Sequence, residues 1–232
     1  MLSADGWFHF ADRRWIGPVG KYYTEVNGQH GIVFHSAEGG LPALIGELMK
    51  PDRQASWCGS IDKDGTLYQH YATQRSCWTS GNKKANTSFY AFEAVGRRGE
   101  PLTKQQEDTV LRIIEDGAAA GGWKPERKVT IWEHNEVATI AKPNAGPTAC
   151  PSNRYDAVWA RLEEEDMARL DELEAKLNLL LRNVYGEMGD VYASQIKAEE
   201  RSLEQDRAMR QSELPGLAVR LQGHIEDQES HS

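Results

Sequence analysis

A chain of 232 residues with 39% hydrophobic content can bury one substantial core and leave material for a smaller second element. It has no stretch of about 18 apolar residues, which excludes a membrane-spanning helix, and its three cysteines, an odd number, argue against a disulfide scaffold. The net charge of −8 sits downstream: residues 151–232 hold 10 Lys plus Arg against 18 Asp plus Glu, residues 1–150 hold 17 of each, and an acidic tail is unsuited to nucleic acid, whose phosphates need basic surfaces.

The amino terminus, Met1 to Trp7, lacks the basic start and apolar run of a secretory signal, which implies synthesis and initial residence in the cytoplasm. Trp7, Phe8, Phe10 and Trp15, with Arg13 and Arg14 among them, read as an arm packed onto a sheet; lining a sugar-binding groove is the alternative. Gly31-Ile32-Val33-Phe34-His35 reads as a buried strand that delivers a histidine at its end, and a helix is expected from Leu41 to Met49. Cys58 and Cys77 could pair if their strands are adjacent, with isolated buried thiols the favoured reading. An amphipathic helix is expected from the N-cap Thr103 through Val110, Leu111, Ile113 and Ile114 to the Gly121-Gly122 stop. A second histidine-ended strand comes next, Val129-Thr130-Ile131-Trp132-Glu133-His134, and then a turn-rich segment from Pro143 to Pro151 that carries Cys150.

Strands interleaved with helices predict an α/β fold, a central mixed β-sheet flanked by helices, with a domain boundary where the composition changes near Pro151. Residues 1–152 then form one domain and 153–232 a helical extension. In that extension Leu170, Leu173, Leu177, Leu180 and Val184 alternate spacings of three and four, a heptad stripe that Gly186 and Gly189 interrupt. A further helical stretch runs from Val191 to Glu213, and Pro215-Gly216 ends it. A helical hairpin folded on itself or against the first domain, a short coiled coil through which copies associate, and a targeting module are all open.

His35, His134 and Cys150 each stand where a chain can offer one ligand to a single ion. Two neutral imidazoles and a thiolate suit Zn²⁺, and three protein ligands leave a fourth tetrahedral position for water or substrate. Taken singly, each has a local reading: a hydrogen-bonded histidine at a strand end, or a small buried thiol.

The surrounding sequence resembles the zinc-dependent N-acetylmuramoyl-L-alanine amidases, which include phage endolysins and peptidoglycan-recognition proteins, over roughly residues 28 to 155. Gly31 to Gly39 is similar to the family's strand ending in its first zinc histidine. Ala55 to Gln69 is similar to its hairpin. Cys77-Trp78-Thr79-Ser80-Gly81-Asn82 stands where Trp-His-Ala-Gly-Asn is typical, and Phe92-Glu93-Ala94-Val95-Gly96 where a strand carries an inward glutamate. Thr148-Ala149-Cys150-Pro151 is similar to the third-ligand motif.

The resemblance implies a Zn²⁺ cofactor on His35, His134 and Cys150, Glu93 as the group that moves the proton, and Thr148 as a donor to the developing oxyanion. For Glu93, orienting a ligand imidazole is the alternative; Glu38 and Glu136 are fallback bases. The same likeness implies substrate contacts at Trp57, Trp78, Thr79 and Asn82. The chain departs from the family where Trp57 replaces a tyrosine common in phage members, where Thr79 replaces the motif histidine, and where Glu133 replaces a common glycine before His134. Indole is only a donor, so Trp57 cannot accept a proton. The implied function is hydrolysis of the amide between N-acetylmuramic acid and the L-alanine of the stem peptide, in a phage or prophage endolysin that acts on bacterial peptidoglycan after release from the host cytoplasm. A non-catalytic peptidoglycan-binding module and a virion or tail component with assembling carboxy-terminal helices are the rival readings.

Overall fold

The computed structural model describes residues 1–140, 148–185 and 191–205. Residues 143–147 of the turn-rich segment, Gly186, Gly189 and the stretch from 206 through Pro215-Gly216 therefore lie outside the described residues.

Among the described residues seven strands form two sheets. β2 (Ile32–Ser36), β3 (Gly59–Ile61), β4 (Leu67–Gln69), β6 (Tyr90–Ala94) and β7 (Ile131–Glu133) make a five-stranded sheet in the order β4-β3-β6-β2-β7. The pairs β3·β6, β6·β2 and β2·β7 are parallel and β3·β4 is antiparallel, so the sheet is mixed as expected. β3 and β4 are joined through Asp62 and Gly65, whose φ of 83° suits glycine at the turn. β1 (Tyr22–Val26) pairs antiparallel with β5 (Arg75–Cys77) in a separate ribbon.

The central strands are buried on both faces, and their alternating side chains split between two layers. Ile32 and Phe34 of β2, Tyr90, Phe92 and Ala94 of β6, and Ile131 of β7 point to one side, where Val110, Leu111, Ile113 and Ile114 of α3 (Lys104–Gly121) complete the main core. α3 begins in a capping box between Thr103 and Gln106 and ends at left-handed Gly122, the limits read from the sequence. On the opposite face two smaller apolar clusters stand apart. One joins Val33 and Ala91 to Ala85 of α2 (Lys83–Ser88) and to Val137; the other joins Tyr68 and Val95 to Leu41 and Ile45 of α1 (Leu41–Met49). The gap between these clusters is where β2 and β6 place His35 and Glu93.

The amino-terminal arm packs as expected. Phe8 is fully buried in the main core, with its amide donating to Gln69 Oε1 at 2.8 Å. Cys58 and Cys77 are free, buried thiols with sulfurs 3.8 Å apart.

The chain divides into two compact units, Met1–Glu164 and Glu165–Ser232. The first unit passes the boundary expected at 152/153 because Arg154, Tyr155, Val158 and Trp159 are buried in it, the last three within its main core. They include the first turn of α4 (Asp156–Tyr185). In the second unit the leucine stripe Leu170, Leu173, Leu177, Leu180 and Val184 is 45–63% exposed. Residues 191–205 are helical, and Lys197 there bonds Glu174 at 3.2 Å. No helix among the described residues is long and apolar enough to cross a membrane.

Candidate metal centre

Parallel register assembles the site. His35 near the end of β2 is opposite Glu93 of β6, while Val33 and Phe34 face Trp132 and Glu133 of β7. The next residue, His134, opens the 3-10 turn His134–Thr139 beside His35, and the two rings lie 4.3 Å apart between centroids. Cys150 arrives from the loop: its carbonyl accepts from Asn135 N at 2.7 Å, and its sulfur accepts from Ser36 N at 3.2 Å. One potential ligand atom from each of His35, His134 and Cys150 lies within 4.8 Å of the others.

Several features fit a divalent cation of the zinc type. Among the described residues His35 Nε2 is buried without a hydrogen-bond partner, a state costly enough that native proteins rarely leave it so. His134 Nε2 bonds the Ser80 carbonyl at 3.3 Å, which fixes the proton on that nitrogen and leaves the Nδ1 lone pair free. Burial, with the neighbouring His134 second, holds His35 well below the usual imidazole range; burial also lowers His134, opposed by the Ser80 carbonyl. Both rings are thus neutral, the form that ligates metal. Burial pushes the Cys150 thiol up to about 12, with the Glu93 charge adding to it, so its thiolate needs a cation alongside.

Glu93 has a side chain 15% exposed; Oε1 lies 3.8 Å from His35 Nδ1, beyond hydrogen-bond length, and Oε2 has no partner among the described residues. Desolvation raises its carboxyl to about 8, opposed by the charge of Arg154. The group therefore holds its proton to a higher pH than an ordinary carboxyl. Thr148 Oγ1 accepts from the Cys150 amide at 3.1 Å, which sets its hydroxyl beside Cys150.

The remaining expectations divide. Trp78 and Thr79 are half-buried; Trp78 lines an open cavity of about 350 Å³ with Tyr23, Gln54, Gly81 and Asn86, and Thr79 Oγ1 donates to Ser56 O at 2.8 Å. Ser80, between Thr79 and Gly81, joins this wall to His134. Trp57 and Asn82 are both buried. Trp57 is buried in the core with its N–H donated to Ser60 Oγ at 2.9 Å. Asn82 is the buried N-cap of α2: its oxygen accepts from Ala85 N and its nitrogen donates to Val137 O. The fallback bases are engaged elsewhere, Glu136 with Arg127 at 2.8 Å and with the Glu133 amide, and Glu38 with the Arg98 amide. Glu133 turns to the other face of the sheet and accepts from Trp159 Nε1 at 2.7 Å.

Sequence reasoning missed the supports. Ser80 acts through its backbone carbonyl, which no residue type announces. Tyr155 donates its hydroxyl to the His35 carbonyl at 2.8 Å, and Arg154 bonds Ser36 Oγ at 2.7 Å. Both lie beyond the expected boundary; a large aromatic and a lone arginine directly after the Cys150 turn were the available signal.

A structure of a mutant endolysin from Bacillus subtilis is similar at 17% identity and TM-score 0.50, covering 69% of this chain and 98% of its own. A mutant of PlyL is similar at 13% identity and TM-score 0.50, covering 66% of this chain and 94% of its own. These likenesses show the fold. No curated protein sequence matches. The family model described as N-acetylmuramoyl-L-alanine amidase matches residues 25–153, the span that carries both strand-end histidines, Glu93 and Cys150. On that match over more than half of its length, the chain belongs to the N-acetylmuramoyl-L-alanine amidase family.

Proposed function

We propose that this member of the amidase family is a zinc-dependent peptidoglycan hydrolase of the endolysin kind, of phage or prophage origin. It would cleave the amide between N-acetylmuramic acid and the L-alanine of the stem peptide. The observation that carries this reading is the convergence of His35, His134 and Cys150, from three separate stretches of chain, with a partnerless imidazole nitrogen among them.

When bound, the zinc ion supplies a Lewis acid that polarises the scissile carbonyl. Glu93 takes a proton from the attacking water as the water oxygen bonds to the carbonyl carbon, and returns it to the amide nitrogen as the C–N bond breaks. The products are a carboxylic acid on the lactyl side and a free alanine amine. The raised proton affinity of Glu93 suits both halves of that transfer. The Thr148 hydroxyl, beside Cys150, donates to the oxygen that gains negative charge. The cavity at Trp78, Tyr23 and Gln54 offers aromatic faces and an amide to the muramyl peptide. The exposed leucine stripe of the second unit is the surface through which copies would associate.

Purified cell walls test the reading. Turbidity should fall, with new alanine amino termini and no new reducing sugar ends; chelation should abolish the reaction and added Zn²⁺ restore it. Wall binding without release of amino termini would instead favour the non-catalytic module.

A further inference from the structure

The least expected group near the site is a buried cation. Arg154 is 2% exposed, and the acceptors it bonds are all neutral: Nε donates to Glu100 O at 2.7 Å, Nη1 to Ser36 Oγ at 2.7 Å and Ala94 O at 2.9 Å, and Nη2 to Val95 O at 2.9 Å. A desolvated guanidinium without a bonded carboxylate is costly, and such charges usually have an anion nearby to justify them. The charge of Arg154 acts on Glu93 and Cys150, and also on the carboxylate of Glu100.

The connectivity is more specific than charge alone. Ser36 directly follows His35, Ala94 directly follows Glu93, and these two followers are register partners. One guanidinium therefore clamps the ends of β2 and β6 immediately beyond the ligand and the proton-transfer group. Ser36 extends the clamp, since its amide donates to Cys150 Sγ while its hydroxyl accepts from Arg154. Arg154 itself lies just past the Cys150 turn, so the loop bearing the third ligand is tied to the same rim. The fold reserves the space: Gly96 has φ +154°, and a Cβ there would stand 2.1 Å from Arg154 Nη2.

We propose that Arg154 is a positioning residue for the hydrolysis, one that fixes the rim on which His35, Glu93 and Cys150 stand without touching substrate. This rests on the zinc reading above. A planar fork is needed to reach three carbonyls and a hydroxyl at once, so lysine is no substitute. In the full chain, Arg154→Lys should weaken Zn²⁺ affinity about 10- to 100-fold, the range for groups that orient metal ligands. The loss is measured by competition against a chromophoric chelator. Turnover should fall in parallel, with KM for a soluble muramyl peptide changed less than about twofold.

Ser36→Ala deletes one acceptor of the clamp and leaves the core intact; it should weaken Zn²⁺ affinity several-fold and alter the thiolate-to-metal absorption of the Co²⁺ form. Parental Zn²⁺ affinity in Ser36→Ala, or in a folded Arg154→Lys, overturns the proposal, and if Arg154→Lys does not fold, Ser36→Ala decides. A parent chain that fails to bind Zn²⁺ overturns the zinc reading itself, which separates the two failures.

Discussion

Glu93 presents one oxygen toward His35 and leaves the other buried and unbonded, although its backbone is fixed on both sides by β2 and β3. A carboxylate in that state is available to a reacting proton, and substitution can test it without disturbing packing. Glu93→Gln should retain parental zinc content by atomic absorption while kcat falls about 10²- to 10⁴-fold, the usual contribution of general acid-base groups. Near-parental turnover would remove Glu93 from the mechanism. At this scale His35 and His134 were legible because an apolar strand ending in histidine is a conspicuous pattern. The burial of Trp57 and Asn82 was not, because motif matching locates a residue along the chain but not the direction of its side chain. Arg154 was invisible for a different reason: most of its partners are backbone carbonyls, which every residue carries.

Among elements, β3, the end of β4 and the amino-terminal arm are joined by one neutral imidazole. His70 Nε2 meets Ser60 Oγ at 2.8 Å, Ser60 Oγ also accepts from Trp57, and His70 Nδ1 bonds the Trp15 carbonyl at 2.7 Å. Burial lowers His70 to about 4, against the pull of the Trp15 carbonyl. The unfolded chain therefore takes up this proton first as pH falls. The stabilising contribution is complete above the ordinary histidine value of 6.5 and is lost as pH drops toward about 4. Denaturant titrations should show the parent losing up to about 1.4 kcal/mol per pH unit more than His70→Gln across that window. Equal slopes would show that His70 binds its proton equally in both states. α1 and α3 were legible, α3 from its cap and stop residues, whereas β1, β5 and α2 were not. These are short segments, and β1 and β5 pair across a long stretch of chain that local pattern cannot bridge.

For the whole molecule, the partition at Glu164 separates a mixed sheet with its helices from an acidic helical segment. The change in composition at Pro151 marks where strands stop, not where the core stops, because Tyr155, Val158 and Trp159 read locally like the rest of α4. A chain ended after Glu164 should fold, bind Zn²⁺ and hydrolyse a soluble muramyl peptide at the parental rate. By light scattering it should be a monomer while the full chain is larger. An unchanged association state would dismiss the leucine stripe as a contact between copies; loss of folding would show that the first unit depends on the helical segment after Glu164.

The order in which the site's parts occur along the chain has a further consequence. His35 is made early, but its ring neighbour, the sulfur and the guanidinium clamp are all encoded near the distal end of the first unit. During translation His35 and Glu93 are therefore made well before His134, Cys150 and Arg154, so the cluster can assemble only once the last of these has been added.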